Sequence, residues 1–534
     1  MRRTIADGLE EGAWTGEFPV PGATRPRKPA TRTAATETMS APARVRAHAA
    51  ATWSQRNPWL IVGGLTMAGL VLRLLITRGI WVDEAISIHQ AHMSLPDMLD
   101  DLRETDRHPP LHYLVMWLMV HAFGDGQLVV RLPSIVASAA LVPALFATGR
   151  AMFDRRTGLV AAALAACAPL IIWYGQEARM YALFMLLATL AVWAQVRVLR
   201  DGRPRNWVLY AGITIALLYT HYFAIIPIAI QQLVFAMAAW KRARAGLPVK
   251  SLLTGCWLTW LALLIAVAPL APFAHEQFQH DQAAGTGLGA APGSAAPTFA
   301  EGGISLYGVL SNFVWAIWGY HPDSTMLLVA ALWPLLMLLS LMLLGQPRSA
   351  STRVLLALAL GPVAILFVVG LEKRDLFEVR YFAGAVPILL LLLARAVAGG
   401  ARRRTPALLV TGGLCLTLLI GLADQQLNPK NPREFDFRGS LQRIEAEAKP
   451  GDRILYAPGY LRDVVGYYAP SVPAEALGGS GPPRGRRGRV FVIASFLDYP
   501  EVSGDVARAT GALGRDRKLL DTRTDERVRV WEFR

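Results

Sequence analysis

The stretch "HPPLHYLVMWLMVHAFG", His108–Gly124, decides how this chain is threaded. It is apolar enough to suggest a membrane span, but it is only 17 residues long and begins on a Pro-Pro pair. A spanning helix needs roughly 20 predominantly apolar residues. If this stretch crossed the bilayer, "FDRR" (153–156) would fall outside and the sides of all later basic loops would be reversed. Read instead as a helix lying in the outer interface, it leaves "GRAMFDRR", "RVLRDGRPR", "KRARAGLPVK", "GQPRSASTR" and "GGARRRT" on one side. By the positive-inside rule that side is cytoplasmic. "ISLYGVLSNFVWAIWGYHP", 304–322, is read in the same way.

Working outward from that choice, the spans fall at 58–78, 128–149, 157–174, 181–199, 207–221, 223–240, 251–271, 325–344, 354–371, 383–399 and 407–423. That predicts about eleven transmembrane helices in an all-α polytopic membrane protein. Composition agrees, with 53% hydrophobic and 17% charged residues in 534. The net charge of +15 sits in the short loops, where it orients helices, so nucleic acid is excluded as a partner. Cys167, Cys256 and Cys415 all lie in apolar runs, which gives no disulfide framework and no cysteine-based metal site.

Three regions follow from the threading. Residues 1–57, rich in Ala, Pro, Thr and Arg, read as a disordered basic cytoplasmic tail, with no cleaved signal peptide. Residues 58–423 form the membrane region, and its 272–303 stretch, rich in Gly, Ala and Pro, reads as a flexible loop or lid. Residues 424–534 read as a small extracytoplasmic α/β domain. "RILYAPG", "RVFVIASF" and "VRVWEF" are its expected strands and "FRGSLQRIEAEAKPGD" a capped amphipathic helix. The chain is expected in the plasma membrane with its N-terminus inside and its C-terminus outside.

On the outer face, polar groups gather at the ends of several different helices. Asp83 and Glu84 follow the first span, and His108, His112 and Arg131 come next. "YGQEARMY" supplies Gln176, Glu177, Arg179 and Tyr181; His221 and Tyr222 follow; "EKRDLFEVRYF" adds Lys373, Arg374, Arg380 and Tyr381. Charges at a lipid boundary are costly unless solvated, paired or used. Each has a plain alternative reading. Asp83 and Glu84 suit a helix start, His108 and His112 have the i, i+4 spacing of some metal ligands, Arg179 could pair with Glu177, and Arg380 with Tyr381 could anchor the interface.

The ordered set "DE", "HPPL", "RLPS", "IWYGQEARMYAL" and "RYF" resembles the C-type glycosyltransferases that use polyprenyl-phosphate sugars, over roughly residues 58–400. Within them it is similar to the branch holding the protein O-mannosyltransferases and lipid A aminoarabinose transferases. The C-terminal region lacks the repeats of the eukaryotic protein O-mannosyltransferases. The resemblance implies a membrane glycosyltransferase with Asp83 as base and Glu84 orienting acceptor or base. It implies that Arg179 and Arg380 hold the departing phosphate, with Arg131 pairing with the carboxylates or reaching the phosphate. His108, Gln176, Glu177, Tyr181 and Tyr381 would complete the substrate contacts. Mannose is the first sugar it suggests and arabinose the next, on a glycan, lipid or protein acceptor. It leaves a divalent cation open, since some members bind one and others do not. No nucleotide-binding glycine loop occurs, which agrees with a lipid-linked rather than a nucleotide-linked donor. A transporter or flippase of a lipid-linked sugar is the alternative; the sequence speaks against it by lacking repeats and polar or broken mid-membrane helices.

Overall fold

The first apolar run forms helix α1 (Pro58–Leu74), which Asn57 caps by accepting the Trp59 amide at 3.1 Å. Proline in the first turn sacrifices no helical hydrogen bond, because those amides have no intrahelical acceptor. The computed structural model describes residues 57–76, 78–283, 306–321, 349–372, 377–400, 404–428, 431, 435–477, 488–497, 499–525 and 527–534. The basic tail, the expected span 325–344, residues 284–303 of the expected lid, and Lys373 and Arg374 lie outside the described residues.

After α1 come α2 (Val82–His92), α3 (Leu95–Thr105), α4 (Leu111–Phe123) and α5 (Gln127–Met152). The pair α6 (Arg155–Cys167) and α7 (Pro169–Gly175) then leads into α8 (Tyr181–Asp201). The stretch that decided the threading is α4, 13 residues and so about 20 Å long, against a hydrocarbon core of about 30 Å.

Among the described residues six helices are long and apolar enough to cross a membrane, or seven if the bent pair α6–α7 counts as one. Three further expected spans form shorter helices: α1 with 17 residues, and Pro204–Leu218 and Val386–Gly400 with 15 each. Large apolar side chains such as Leu60, Val208, Leu264 and Leu408 stand exposed on these helices, as a lipid phase requires. The chain is a multi-pass membrane protein.

Two expectations are corrected. Residues 272–283, read as loop, belong to the helix Leu270–Ala283. A broken, polar element also exists within the membrane region: α6 and α7 meet at 58°. Pro169 supplies the break, since it can donate no amide to the turn before it. The freed carbonyls find a donor in Arg73 of α1, which is fully buried. Its guanidinium reaches the oxygens of Ala165 (3.2 Å) and Ala166 (3.5 Å), while Nε donates to Ser138 Oγ (2.6 Å). Ser138 in turn donates to the Ile171 carbonyl at 2.7 Å.

The C-terminal region carries a mixed five-stranded sheet of order β2-β1-β3-β5-β4. Its strands are β1 (Arg453–Ala457), β2 (Ala474–Ala476), β3 (Val490–Ser495), β4 (Leu519–Asp525) and β5 (Val528–Phe533). β1 pairs in parallel with β2 and β3, and β5 runs antiparallel to β3 and β4. β1, β3 and β5 are the three strands expected from sequence; β3 is buried throughout, as a central strand should be. The expected amphipathic helix is Phe437–Glu447, with Asp436 accepting the Gly439 amide at 2.8 Å.

This region is not packed on itself alone. Ile80, Val82, Ala85 and Ile88 from α2 and its approach share one apolar cluster with Phe437, Leu441, Leu461, Val464 and Tyr468. The Ile80 amide donates to Tyr468 Oη at 2.5 Å, and Tyr467 Oη donates to the Asp125 carbonyl at 3.2 Å. A Cβ on Gly79 would come within 2.9 Å of Tyr468 Oη and 3.0 Å of Arg438 Cβ, so this close approach requires the glycine. The loop 79–127 and the C-terminal region therefore stand on one side of the helices.

Candidate active site

The site is built on two pinned loops. The turn from α1 into α2 is held by Arg131 at the start of α5. Its guanidinium grips Glu84 by two bonds, Nε to Oε1 (2.7 Å) and Nη2 to Oε2 (2.6 Å), and reaches the carbonyls of Arg78 (3.1 Å) and Gly79 (2.7 Å). Both side chains are buried, at 0% and 1% exposure. Glu84 also accepts the Trp81 amide (3.2 Å), closing the first turn of α2 in the manner of a capping box.

The second loop, 176–180, joins α7 to α8. Glu84 accepts the Ala178 amide (2.7 Å), and His112 Nε2 donates to the Ala178 carbonyl (3.2 Å). Ser134 Oγ donates to the Arg179 carbonyl (3.1 Å). Gln176 donates to the carbonyls of Leu72 and Leu75, satisfying the open end of α1. One carboxylate thus ties both loops together.

Between the loops opens a cleft of about 360 Å³, lined by Arg78, Trp81, Asp83, Trp173, Tyr174, Glu177, Tyr181, Tyr320 and Arg380. Among the described residues the Asp83 carboxylate makes no hydrogen bond; its backbone carbonyl accepts Ser87 Oγ. The Arg78 guanidinium stacks 3.2 Å from the Trp173 ring centre and donates to the Trp173 carbonyl. Arg380 Nε lies 2.8 Å from Glu378 Oε2, an ion pair that is off line for a hydrogen bond, and its guanidinium stands over Tyr381. Tyr174 and Tyr320 join hydroxyls at 2.9 Å across the cleft floor. Burial pushes the Glu177 carboxyl up to about 7; the Arg78 charge opposes this, and the Glu84 and Asp83 charges add to it.

Of the residues expected from sequence, Asp83, Glu177, Tyr181 and Arg380 line the cleft. Glu84, Arg131 and Gln176 stand in its frame, each bonded within the protein. Tyr381 packs against Phe223 at 4.8 Å. Arg179 is buried behind the wall, where it donates to Ser87 Oγ (3.0 Å) and Tyr113 Oη (3.3 Å) rather than pairing with the Glu177 side chain. His108 joins it there. Nδ1 of His108 donates to Asp106 Oδ1 at 2.8 Å, so Arg179 Nη2, 3.5 Å from the same nitrogen, is a contact and not a hydrogen bond.

Asp106 was not anticipated. It accepts from His108 and from Tyr113 Oη (2.7 Å). Burial works against its charge, yet His108 and Arg179 hold the carboxyl well below the usual range. Arg78, Trp81, Trp173 and Tyr320 were likewise missed. Arg78 could have been found as the last cation before the "DE" pair; Tyr320 gives no local signal. Among the described residues no group of three or more His, Cys, Asp or Glu is arranged to hold a metal ion.

Residues 107–273, which carry α4 and both halves of the second loop's frame, match the family model described as dolichyl-phosphate-mannose-protein mannosyltransferase. The match takes in about a third of the 534 residues, and it is that stretch which is similar to the family. The fold likeness extends beyond the matched stretch. ArnT from Cupriavidus metallidurans bound to undecaprenyl phosphate superimposes with a TM-score of 0.52 at 11% identity, over 89% of this chain and 97% of that one. ArnT in the apo state gives 0.50 at 12%, over 91% and 98%. No curated protein matches the chain. The matched stretch and the approach to α2 supply the cleft's two loops, and Arg380 reaches the cleft from a later turn.

Proposed function

We propose that this enzyme moves a sugar from a polyprenyl-phosphate carrier to a cell-envelope acceptor at the outer membrane face, with inversion at the anomeric carbon. One observation carries the reading: the cleft holds Asp83, whose carboxylate makes no hydrogen bond among the described residues, together with two guanidinium groups, Arg78 and Arg380. Acid–base and phosphate chemistry need that combination. The matched family's description names a lipid-phosphate sugar, and the similar ArnT structure contains undecaprenyl phosphate, which supports a lipid-linked donor.

Asp83 takes the proton of the acceptor hydroxyl as the acceptor oxygen attacks the anomeric carbon from the face opposite the phosphate. The bond from that carbon to the phosphate oxygen breaks, and its electron pair leaves on the phosphate. Arg78 and Arg380 take up the developing charge, with the planar fork that suits phosphate oxygens. Glu177 and Tyr181 hold sugar hydroxyls in the same cleft. Glu84, Arg131, His112 and Arg179 fix the two loops and do not touch the reacting atoms. Mannose is the first sugar to test and arabinose the second.

Purified protein incubated with a panel of polyprenyl-phosphate sugars tests the reaction. Transfer that disappears in Asp83→Asn while donor affinity holds is the expected result; full turnover by Asp83→Asn would remove Asp83 from this role. For sidedness, a cysteine placed at Ser94 and another in the C-terminal region should both react with an impermeant thiol reagent in intact cells. Labelling only after lysis would reverse the orientation.

A further inference from the structure

The cleft has an inner end and a mouth. Of the nine described residues that line it, seven are buried, and only Trp81 and Asp83 are half-buried. The cleft therefore opens beside these two, while the guanidinium groups of Arg78 and Arg380 are buried at its inner end. The reaction proposed above runs along this axis. Inversion requires base, acceptor oxygen, anomeric carbon and leaving phosphate to stand in that order. With Asp83 at the mouth and the two cations inside, the acceptor lies at the mouth and the phosphate at the inner end.

Trp81 stands at the mouth with the base. Its backbone is pinned on both sides: the amide donates to Glu84 Oε2 at 3.2 Å, and the carbonyl accepts the Ala85 amide at 2.9 Å. The indole is thus carried on the same fixed turn as Asp83, two residues before it. Its ring N–H is buried and has no hydrogen-bond partner among the described residues. An unpaired buried donor costs about 1–3 kcal/mol and calls for an explanation, and a ligand oxygen in the cleft supplies one.

We propose that Trp81 is an acceptor-contact residue: its ring supports the acceptor at the mouth, and its N–H donates to an acceptor oxygen beside the hydroxyl that Asp83 deprotonates. The inference rests on the glycosyl transfer proposed above. The lining tyrosines do not compete for this role, because Tyr174, Tyr181 and Tyr320 are all buried away from the mouth. A ring that is fixed before the acceptor arrives loses little freedom on binding, so its contacts go into affinity.

The test uses the full-length enzyme with the polyprenyl-phosphate sugar that it turns over. Membranes from cells lacking the gene supply the natural acceptor in varied amount, and labelled sugar carried into them is counted. Trp81→Phe keeps an aromatic face and loses the N–H. The membrane concentration at half-maximal transfer should rise about fivefold, the scale of one neutral hydrogen bond made on binding. Trp81→Leu, which also loses the flat ring, should raise it further. Donor affinity, titrated without membranes, and thermal midpoint should stay at wild-type values in Trp81→Phe. A weakened donor would place Trp81 on the donor instead, and a lowered midpoint with unchanged acceptor dependence would make its role structural. Either result, or no change in any of the three, overturns the assignment. A wild type that binds the donor but transfers to no membrane acceptor would sink the reaction and this assignment with it, so the two failures are distinguishable.

Discussion

Asp83 and Glu84 are neighbours on one helical turn, yet they enter regions of opposite character. Glu84 enters a dry node where Arg131, the Trp81 amide and the Ala178 amide use both carboxylate oxygens. Asp83 enters a cleft with two guanidinium groups, a raised carboxyl at Glu177 and the Trp81 indole N–H, which has no hydrogen-bond partner among the described residues. The difference teaches how two adjacent carboxylates on one turn can be given opposite availability. The first charge is left available because the second is wholly committed to fixing the turn that carries both.

Four measurements can break or sharpen that contrast. The largest effect is expected at Asp83. Asp83→Asn should lower turnover about 100- to 10,000-fold, the usual cost of losing a general base, with thermal midpoint unchanged. Glu84→Gln should do the reverse. Leaving Arg131 without its buried partner should cost about 3–5 kcal/mol of stability in chemical unfolding. If Glu84→Gln proved as stable as the wild type while losing turnover, the node and the cleft would have to exchange roles.

Arg78→Lys and Arg380→Lys keep the charge and lose the fork, so each should weaken donor binding about tenfold. Arg179→Lys, behind the wall, should change donor affinity less than either. Donor titrations giving the opposite order would move the phosphate to Arg179. The smallest effect concerns Glu177. Its carboxyl is raised from 4.5 to about 7, so its neutral form is favoured in the fold. The stability it contributes is full below 4.5 and is lost as pH rises through about 7. Thermal midpoints taken across that window should fall for the wild type and stay level for Glu177→Gln. Parallel curves would show that Glu177 is charged throughout.

Much of this was legible because charge near lipid is expensive. Asp83, Glu177, Tyr181 and Arg380 could be singled out by standing at helix ends, and α4 by being too short to span. Three strands, β1, β3 and β5, announced themselves by runs such as "FVIAS", whereas the longer but more polar β4 did not. What local sequence could not tell was which member of a polar pair is used. Glu84 and Asp83 look alike until Arg131, 47 positions away, takes one of them. The same holds for Arg179, whose nearest acid in sequence is Glu177 but whose partners are Ser87 and Tyr113.

The sequence by itself determined that the chain is a membrane protein, which apolar helix is short, and the family its motifs resemble. These follow from hydropathy, length and residue order, all of which are properties of contiguous segments. Only the tertiary structure decided that Arg73 mends a broken span, that Arg78 rather than Arg179 lines the cleft, and that Tyr468 of the C-terminal region anchors the turn before Asp83. The physical reason is common to all three. A buried polar group must find its partner wherever the fold brings one, and hydrogen-bond geometry in three dimensions is not encoded in the spacing of residues along the chain.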